Sequence, residues 1–251
     1  ISEILRNAGG VSAQANNPNT GASYTVRGFS AAGLVNGLAG GSQYGVASGA
    51  NQPIANIERV EILKGPDALL AGFGNLGGNV NVVTKKPSAE ERLVVSFDTG
   101  SFGLVRGVLD ANNAITTDKK LSARVIASAQ TMNHNYGGYH GNEDYLFAPS
   151  LRYKDRLTDI VIGASLSKSI AGIGAYTLFD NKTFQLIDRD PSIPIYSPDQ
   201  TIEVGTDRFY FDATRQITPG IDLVVRGMHD QSELALQVYQ VGYNRAGIRT
   251  L

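Results

Sequence analysis

From Arg92 onward, apolar and polar residues alternate with a period of two. In residues 92–100, Leu93, Val95, Phe97 and Thr99 fall on one face, and Val94, Ser96, Asp98 and Gly100 fall on the other. Residues 103–115 set Val105, Leu109 and Ala111 opposite Arg106, Asp110 and Asn112. Residues 121–132 set Leu121, Ala123, Val125, Ala127 and Ala129 opposite Ser122, Arg124, Ser128 and Gln130. Residues 145–154 set Tyr145, Phe147, Leu151 and Tyr153 opposite Ser150, Arg152 and Lys154, and segments 158–169, 207–217 and 221–232 repeat the theme. Such alternation predicts antiparallel strands with one apolar and one charged face. A soluble β-sandwich and a transmembrane barrel share this period, so the period alone does not choose between them.

The connectors add a direction. After the first hairpin turn, TGSFG, they run TTDKK, then the long NHNYGGYHGNED (133–144), KDRLT, a stretch from Gly172 to Thr206, and TPG. Long connectors thus fall on one edge and short ones on the other, as in outer-membrane barrels. Phe102, Tyr145, Tyr153 and Phe209 lie near segment ends, where they suit interfacial aromatic girdles or ordinary sheet positions.

Residues 1–87 read differently. Ile1 to Asn7 predict a short amphipathic helix closed by Gly9-Gly10, and Tyr24 to Arg27 predict a strand. Residues 30–52 are small, polar and uncharged, and are expected to form a long functional loop or a linker. Glu58 to Leu63 predict a strand, Asp67 to Ala71 a short helix, and Asn79 to Thr84 another strand. Gly72, Gly74 and Gly77 match the spacing G-x-G-x-x-G, but they follow a helix and precede a strand. A dinucleotide loop needs the reverse order, with a helix N-terminus aimed at the phosphates. Glycine is therefore expected here for backbone geometry or close packing.

Composition removes several function classes. A net charge of −1 argues against a basic nucleic-acid binder, and the absence of cysteine excludes a disulfide scaffold and a thiolate metal site. No apolar run approaches the ~18 residues of a membrane helix. A barrel passes that test, since its strands are short and alternating. His134, His140 and His229 lack metal-ligand spacing, and no serine has a recognisable partner motif, so no catalytic constellation is read and the chain is expected not to be an enzyme.

Three stretches carry a family resemblance: ISEILRNAGGV at the start, YTVRGF (24–29), and NIERVEILKGPDALLAGFGNLGGNVNVVTKKP (56–87). In order and spacing they resemble the plug signature of TonB-dependent outer-membrane receptors of the ferric-siderophore type. The resemblance implies a mainly β protein in which an N-terminal α+β plug domain, residues 1–87, is followed by antiparallel strands of a transmembrane barrel, residues 88–251. In such receptors the plug fills a barrel of about 22 strands. About seven are present here, and the TonB-contacting box and first plug strand are not, so the resemblance implies a partial chain. Ala71 stands where the family usually has an aromatic residue, and Asn36-Gly37 replaces a common Asp-Gly.

The function so implied is capture of a ferric siderophore at the extracellular face and import energised by TonB, in the outer membrane of a bacterium. The partners are the chelate, TonB and outer-membrane lipid, with no nucleic acid, no resident metal and no cofactor beyond the iron complex as ligand. Such a chelate is held by hydrogen-bond donors, a cation and aromatic faces in a concave pocket. The resemblance places Arg27 and the apical loop Gly41, Ser42, Gln43 and Tyr44 at that pocket, with His134, Tyr136, Tyr139 and His140 on the second long connector as further candidates. Arg27 is equally read as pairing with a wall carboxylate. Arg106, Asp110, Arg124, Arg152, Asp212 and Arg226 read as plug-to-wall contacts, and Glu61 and Lys64 as plug packing. Uptake of haem, cobalamin or an oligosaccharide, or a soluble β-rich binding module, are the competing readings.

Overall fold

The computed structural model describes residues 5, 8–13, 24–39, 54–64, 77–172, 180, 182–195, 197–237, 242–243 and 249–250. Among the described residues, the N-terminal part holds two small sheets. The first joins β1 (Val11–Ala13), β2 (Tyr24–Val26) and β3 (Phe29–Ser30). The second joins β4 (Ala32–Val35), β5 (Leu38–Ala39), β6 (Ile57–Leu63) and β7 (Asn79–Thr84) in the order β5-β4-β7-β6, with β4 and β7 parallel. Leu5, which is helical, packs with Val11, Val26 and Val80 into one apolar core. Burying each of these side chains contributes about 1.5–3 kcal/mol.

The β4–β5 hairpin corrects the expectation of one irregular loop over 30–52. Asn36 and Gly37 both have positive φ, 52° and 80°, as a two-residue hairpin turn requires. Residues 40–53 and the helix expected over 67–71 lie outside the described residues, as does most of the helix expected over 1–7. Gly77 shows why glycine recurs before β7: a Cβ there would stand 2.0 Å from the Val26 carbonyl oxygen. Backbone approaches backbone too closely for any side chain.

The remaining strands form one antiparallel sheet in chain order: β8 (Arg92–Gly100), β9 (Leu104–Ala114), β10 (Leu121–Met132), β11 (Asn142–Lys154), β12 (Thr158–Gly172), β13 (Thr201–Thr218) and β14 (Ile221–Gln237). A further pair, β15 (Gly242–Tyr243) and β16 (Arg249–Thr250), follows. Every alternation read from the sequence has a strand under it, but β13 begins at Thr201 rather than near 207, which shortens the long connector. Connectors 101–103, 133–141 and 173–200 share one edge of the sheet, and 115–120, 155–157 and 219–220 share the other.

The two faces of this wall differ in chemistry. Leu93, Val95 and Phe97 are 69%, 72% and 69% exposed, and Phe147, Ile162, Phe209 and Phe211 continue the same outward apolar band. The opposite face buries Asp110, Asn112, Ser122, Arg124, Ser165 and Arg208. Ile126, Leu146 and Ala148 also point inward, against the polar pattern, because Ala55 of the N-terminal part packs on them. The apolar side faces away from the protein and the polar side faces the small sheets. No helix among the described residues is long and apolar enough to cross a membrane, which says nothing of strands.

Candidate functional site

The N-terminal part is bound to the wall through the short extended strap that follows β7. Lys85 Nζ lies 3.0 Å from Asp110 Oδ2, and Arg124 grips the same carboxylate with Nε and Nη2, both at 2.7 Å. Arg124 Nη1 donates to the Lys86 carbonyl at 3.1 Å, and Arg152 Nη1 to that of Pro87 at 3.0 Å. Lys86 Nζ reaches Asp212 at 2.8 Å, and Arg226 Nε meets the other oxygen of Asp212 at 3.2 Å. Asn112 accepts from the Ser88 N–H and donates to the Ser88 and Glu90 carbonyls. Residues 85–90 are thus tied to β9, β10, β11 and β13 by charged or amide groups. The inward charges read from the sequence come together here, with Arg106 as the exception.

Three wall residues that the sequence did not single out complete the inner face. Arg208 of β13 and Asp230 of β14 are paired in register, their side chains nearly fully buried, with Nη2 and Oδ2 2.6 Å apart. Tyr210 of β13 lays its ring over Gly163 of β12, where a Cβ would stand 2.5 Å from the Tyr210 hydroxyl and 3.0 Å from Ser150 Cβ. Thr84, at the end of β7, donates its N–H to Asn36 Oδ1 at 3.0 Å and receives Asn36 Nδ2 on its hydroxyl at 2.9 Å. Within the small sheet, Asn81 donates to Glu61 Oε2 at 2.8 Å and accepts from the Gly37 N–H at 2.9 Å. The Asn81 bond, opposed by burial and aided by Arg59, holds the Glu61 carboxyl below its ordinary range.

Arg27 sits in the left-handed region at φ 54° and donates its N–H to the Gly10 carbonyl at 2.8 Å. Its side chain is exposed and, among the described residues, has no carboxylate partner. Lys64 Nζ donates to the Gly9 carbonyl at 2.6 Å, so two cations flank this glycine turn. Gly41, Ser42, Gln43 and Tyr44 lie outside the described residues.

The long connectors interlock. Asn135 Oδ1 accepts from the N–H groups of Gly137 and Tyr139, at 2.9 and 3.1 Å, folding residues 135–139 into a tight turn. Tyr139 is 1% exposed, packs on Ile202, and accepts the Ile195 N–H on its hydroxyl at 3.0 Å. That burial corrects its place among the ligand candidates: in this arrangement Tyr139 anchors one connector to the other and presents no surface to a solute. His140 donates its N–H to the Pro198 carbonyl and sets Nδ1 3.0 Å from Asp199 Oδ1. His134 packs its ring on Phe102 with centroids 5.0 Å apart. Tyr136 is 64% exposed and is the aromatic side chain of this connector most open to solvent. No cluster of three metal-ligating side chains occurs among the described residues.

A β-wall that is apolar outside, polar inside, and gripping an α+β body by its inner face is the architecture of a plugged transmembrane barrel. Residues 1–79 match the family model described as the TonB-dependent receptor plug domain. The first 79 residues thus resemble the plug of a TonB-dependent receptor, and the strands after them share the fold of such a receptor's barrel wall. Among relatives, the metal-pseudopaline receptor of Pseudomonas aeruginosa is 35% identical over 116 residues, 46% of this chain and 16% of that one. The ferripyoverdine receptor of the same species is 25% identical over 190 residues, covering 72% of this chain and 23% of that one. The solved structure of the latter bound to ferripyoverdine superposes with a TM-score of 0.79 at 22% identity, over 93% of this chain and 32% of that one. The ferric preacinetobactin receptor of Acinetobacter baumannii gives 0.76 at 18% identity, over 94% and 36%. The chain spans about a third of the length of these structures and less than a quarter of the curated relatives.

Proposed function

We propose that this receptor captures a metal–siderophore complex, in the first instance a ferric one, at the edge of the wall that carries the long connectors, and imports it past the plug with energy transmitted by TonB. The observation that carries the reading is the N-terminal part seated on the polar face of a wall whose other face is apolar and exposed. The siderophore receptors among its relatives supply the solute class. The chain's own contribution at the rim is Tyr136, His134 and Phe102, two aromatic rings and an imidazole that offer stacking and hydrogen bonding to a bulky chelate. Arg27 and the segment Gly41 to Tyr44 would supply a cation and donors from the plug side. The protein need not ligate the metal, since the chelator fills its coordination shell.

A second reading rests on one comparison: the relative with 35% identity is named for a metal–pseudopaline complex, so the cargo metal need not be iron. The test is a binding screen of the full-length receptor in detergent against ferric chelates, the same chelators loaded with divalent metals instead, haem and cobalamin. Saturable binding of a metal chelate at micromolar or lower concentration, with none for haem or cobalamin, is the expected result. Binding of haem or cobalamin alone overturns it.

A further inference from the structure

We infer that Asn135 is a positioning residue for capture: its side chain fixes the turn that carries Tyr136, so that the exposed ring meets a solute already in place. The inference rests on the reading that this connector takes part in capture, and it deepens that reading by naming what orders the aromatic contact.

Four hydrogen bonds close residues 135–139 on themselves. Asn135 donates its N–H to the Tyr139 carbonyl at 2.9 Å and accepts the Gly138 N–H on its own carbonyl at 3.0 Å. Its Oδ1 takes the N–H groups of Gly137 and Tyr139. Tyr136 is therefore flanked by bonded backbone on both sides, while its side chain is exposed. The other end of the amide ties the turn to the sheet, because Nδ2 donates to the carbonyl of Gly172, the last residue of β12, at 3.2 Å. Asn142 Oδ1 accepts the N–H of the same glycine at 3.3 Å, and Asn142 Nδ2 donates to the Tyr139 carbonyl at 3.0 Å. A Cβ on Gly172 would stand 2.6 Å from the His140 carbonyl oxygen, so the connector lies directly on that backbone.

Asparagine suits the position because one amide offers both an acceptor for the two N–H groups and a donor for the Gly172 carbonyl. His134 is held differently. Its Nδ1 lies 3.0 Å from the Asn135 backbone carbonyl, and its ring packs on Phe102. Neither contact uses the Asn135 side chain, which therefore acts on Tyr136 and not on His134. A tyrosine side chain has only two torsions to freeze on contact. With its backbone already set, most of the ordering is complete before a solute arrives, which is the advantage of a preorganised contact.

The test compares Asn135→Ala and Asn135→Asp in the full-length protein in detergent. Without solute, Asn135→Ala should speed amide exchange at least about tenfold at Gly137 and Tyr139 while amides in β10 hold. Asn135→Asp keeps the acceptor oxygen but loses the tie to Gly172, so its rates should fall between parent and Asn135→Ala. The binding probes are ferric trihydroxamate, tris-catecholate and mixed-donor chelates, titrated one by one. For a chelate that binds the parent, Asn135→Ala should lose about tenfold in affinity, and its combination with Tyr136→Ala should bind no more weakly than Tyr136→Ala alone. A residue that only stabilises the connector would add its loss to that of Tyr136→Ala. Unchanged exchange at both amides, rates in Asn135→Asp as fast as in Asn135→Ala, affinity of Asn135→Ala within about twofold of the parent, or additive losses in the double variant would each overturn the inference and leave capture at the rim standing. A parent that binds none of the chelates defeats the capture reading, and the inference falls with it.

Discussion

Both oxygens of Asp110 are held by the guanidinium of Arg124, at 2.7 Å each, and one of them also by Lys85 at 3.0 Å. Asp110 and Arg124 are buried. The pair is one point at which a wall carboxylate, a wall cation and the plug's strap meet. Asp110→Ala leaves Arg124 and Lys85 facing one another with no carboxylate between them. Removing one partner of a buried pair costs about 3–5 kcal/mol. Chemical denaturation of the full-length receptor in detergent should show a loss of that size. Replacing both, with Asp110→Leu and Arg124→Met, should recover most of it, since Lys85 is partly exposed and can turn to water.

Gly138 joins the two long connectors by close approach. Its φ is 76°, and a Cβ there would stand 2.5 Å from the Ser192 carbonyl oxygen. Gly138→Ala meets both the left-handed penalty, about 1–2 kcal/mol, and a backbone contact that has to open. The Ile195 N–H is bonded to the Tyr139 hydroxyl across this junction, so its exchange with solvent should rise by at least ~10-fold while amides in β10 hold. An unchanged rate at Ile195 would mean the connectors are not joined here.

The seven wall strands were legible because an apolar outer face and a polar face turned to the N-terminal part impose a period of two on almost every residue. The exceptions mark where that rule is interrupted. Ile126, Leu146 and Ala148 are apolar and inward because Ala55 lies on them, contacts between residues far apart in the chain that no local pattern encodes. The start of β13 was missed because TIEVGT rises past the apolar band, where the outward residue is Glu203, paired to Lys168 at 2.6 Å, and no hydrophobic face is required. The β4–β5 hairpin hid inside small, uncharged sequence, although Asn36-Gly37 is a strong two-residue turn signal. Tyr139 read as a loop aromatic open to a solute, since its burial depends on the connector between β12 and β13 and on Ile202 at the start of β13. Asn135, which shapes the turn around it, carried no signal beyond its residue type.

The contrast between Tyr136 and Tyr139 separates capture from scaffolding. Tyr136 is exposed at the rim and Tyr139 is buried beneath it. For a receptor that stacks a chelate on this connector, Tyr136→Ala should weaken binding about tenfold, or ~1.4 kcal/mol, without altering unfolding. Tyr139→Phe should leave affinity within about twofold, yet speed exchange at Ile195. Isothermal titration with the chelate found in the binding screen measures the first quantity. Equal affinities for the parent and Tyr136→Ala would remove this connector from the site.

The short turn at 155–157 is the place to look for acid sensitivity in the wall's opposite edge. Asp155 Oδ1 accepts the N–H groups of Leu157 and Thr158 at 2.9 and 2.7 Å. Those backbone bonds hold its carboxyl below the ordinary range. A group whose folded pKa is depressed contributes stability above its unfolded value and loses that contribution as pH falls through the folded one. Exchange at Leu157 and Thr158 should therefore be flat from neutral pH down to the ordinary carboxylate range, after correction for intrinsic rates, and should quicken below it. Asp155→Asn keeps an acceptor oxygen but cannot ionise, so its corrected rates should start higher and lose the acid step. A step that survives in Asp155→Asn would assign the acid sensitivity of this turn to another group.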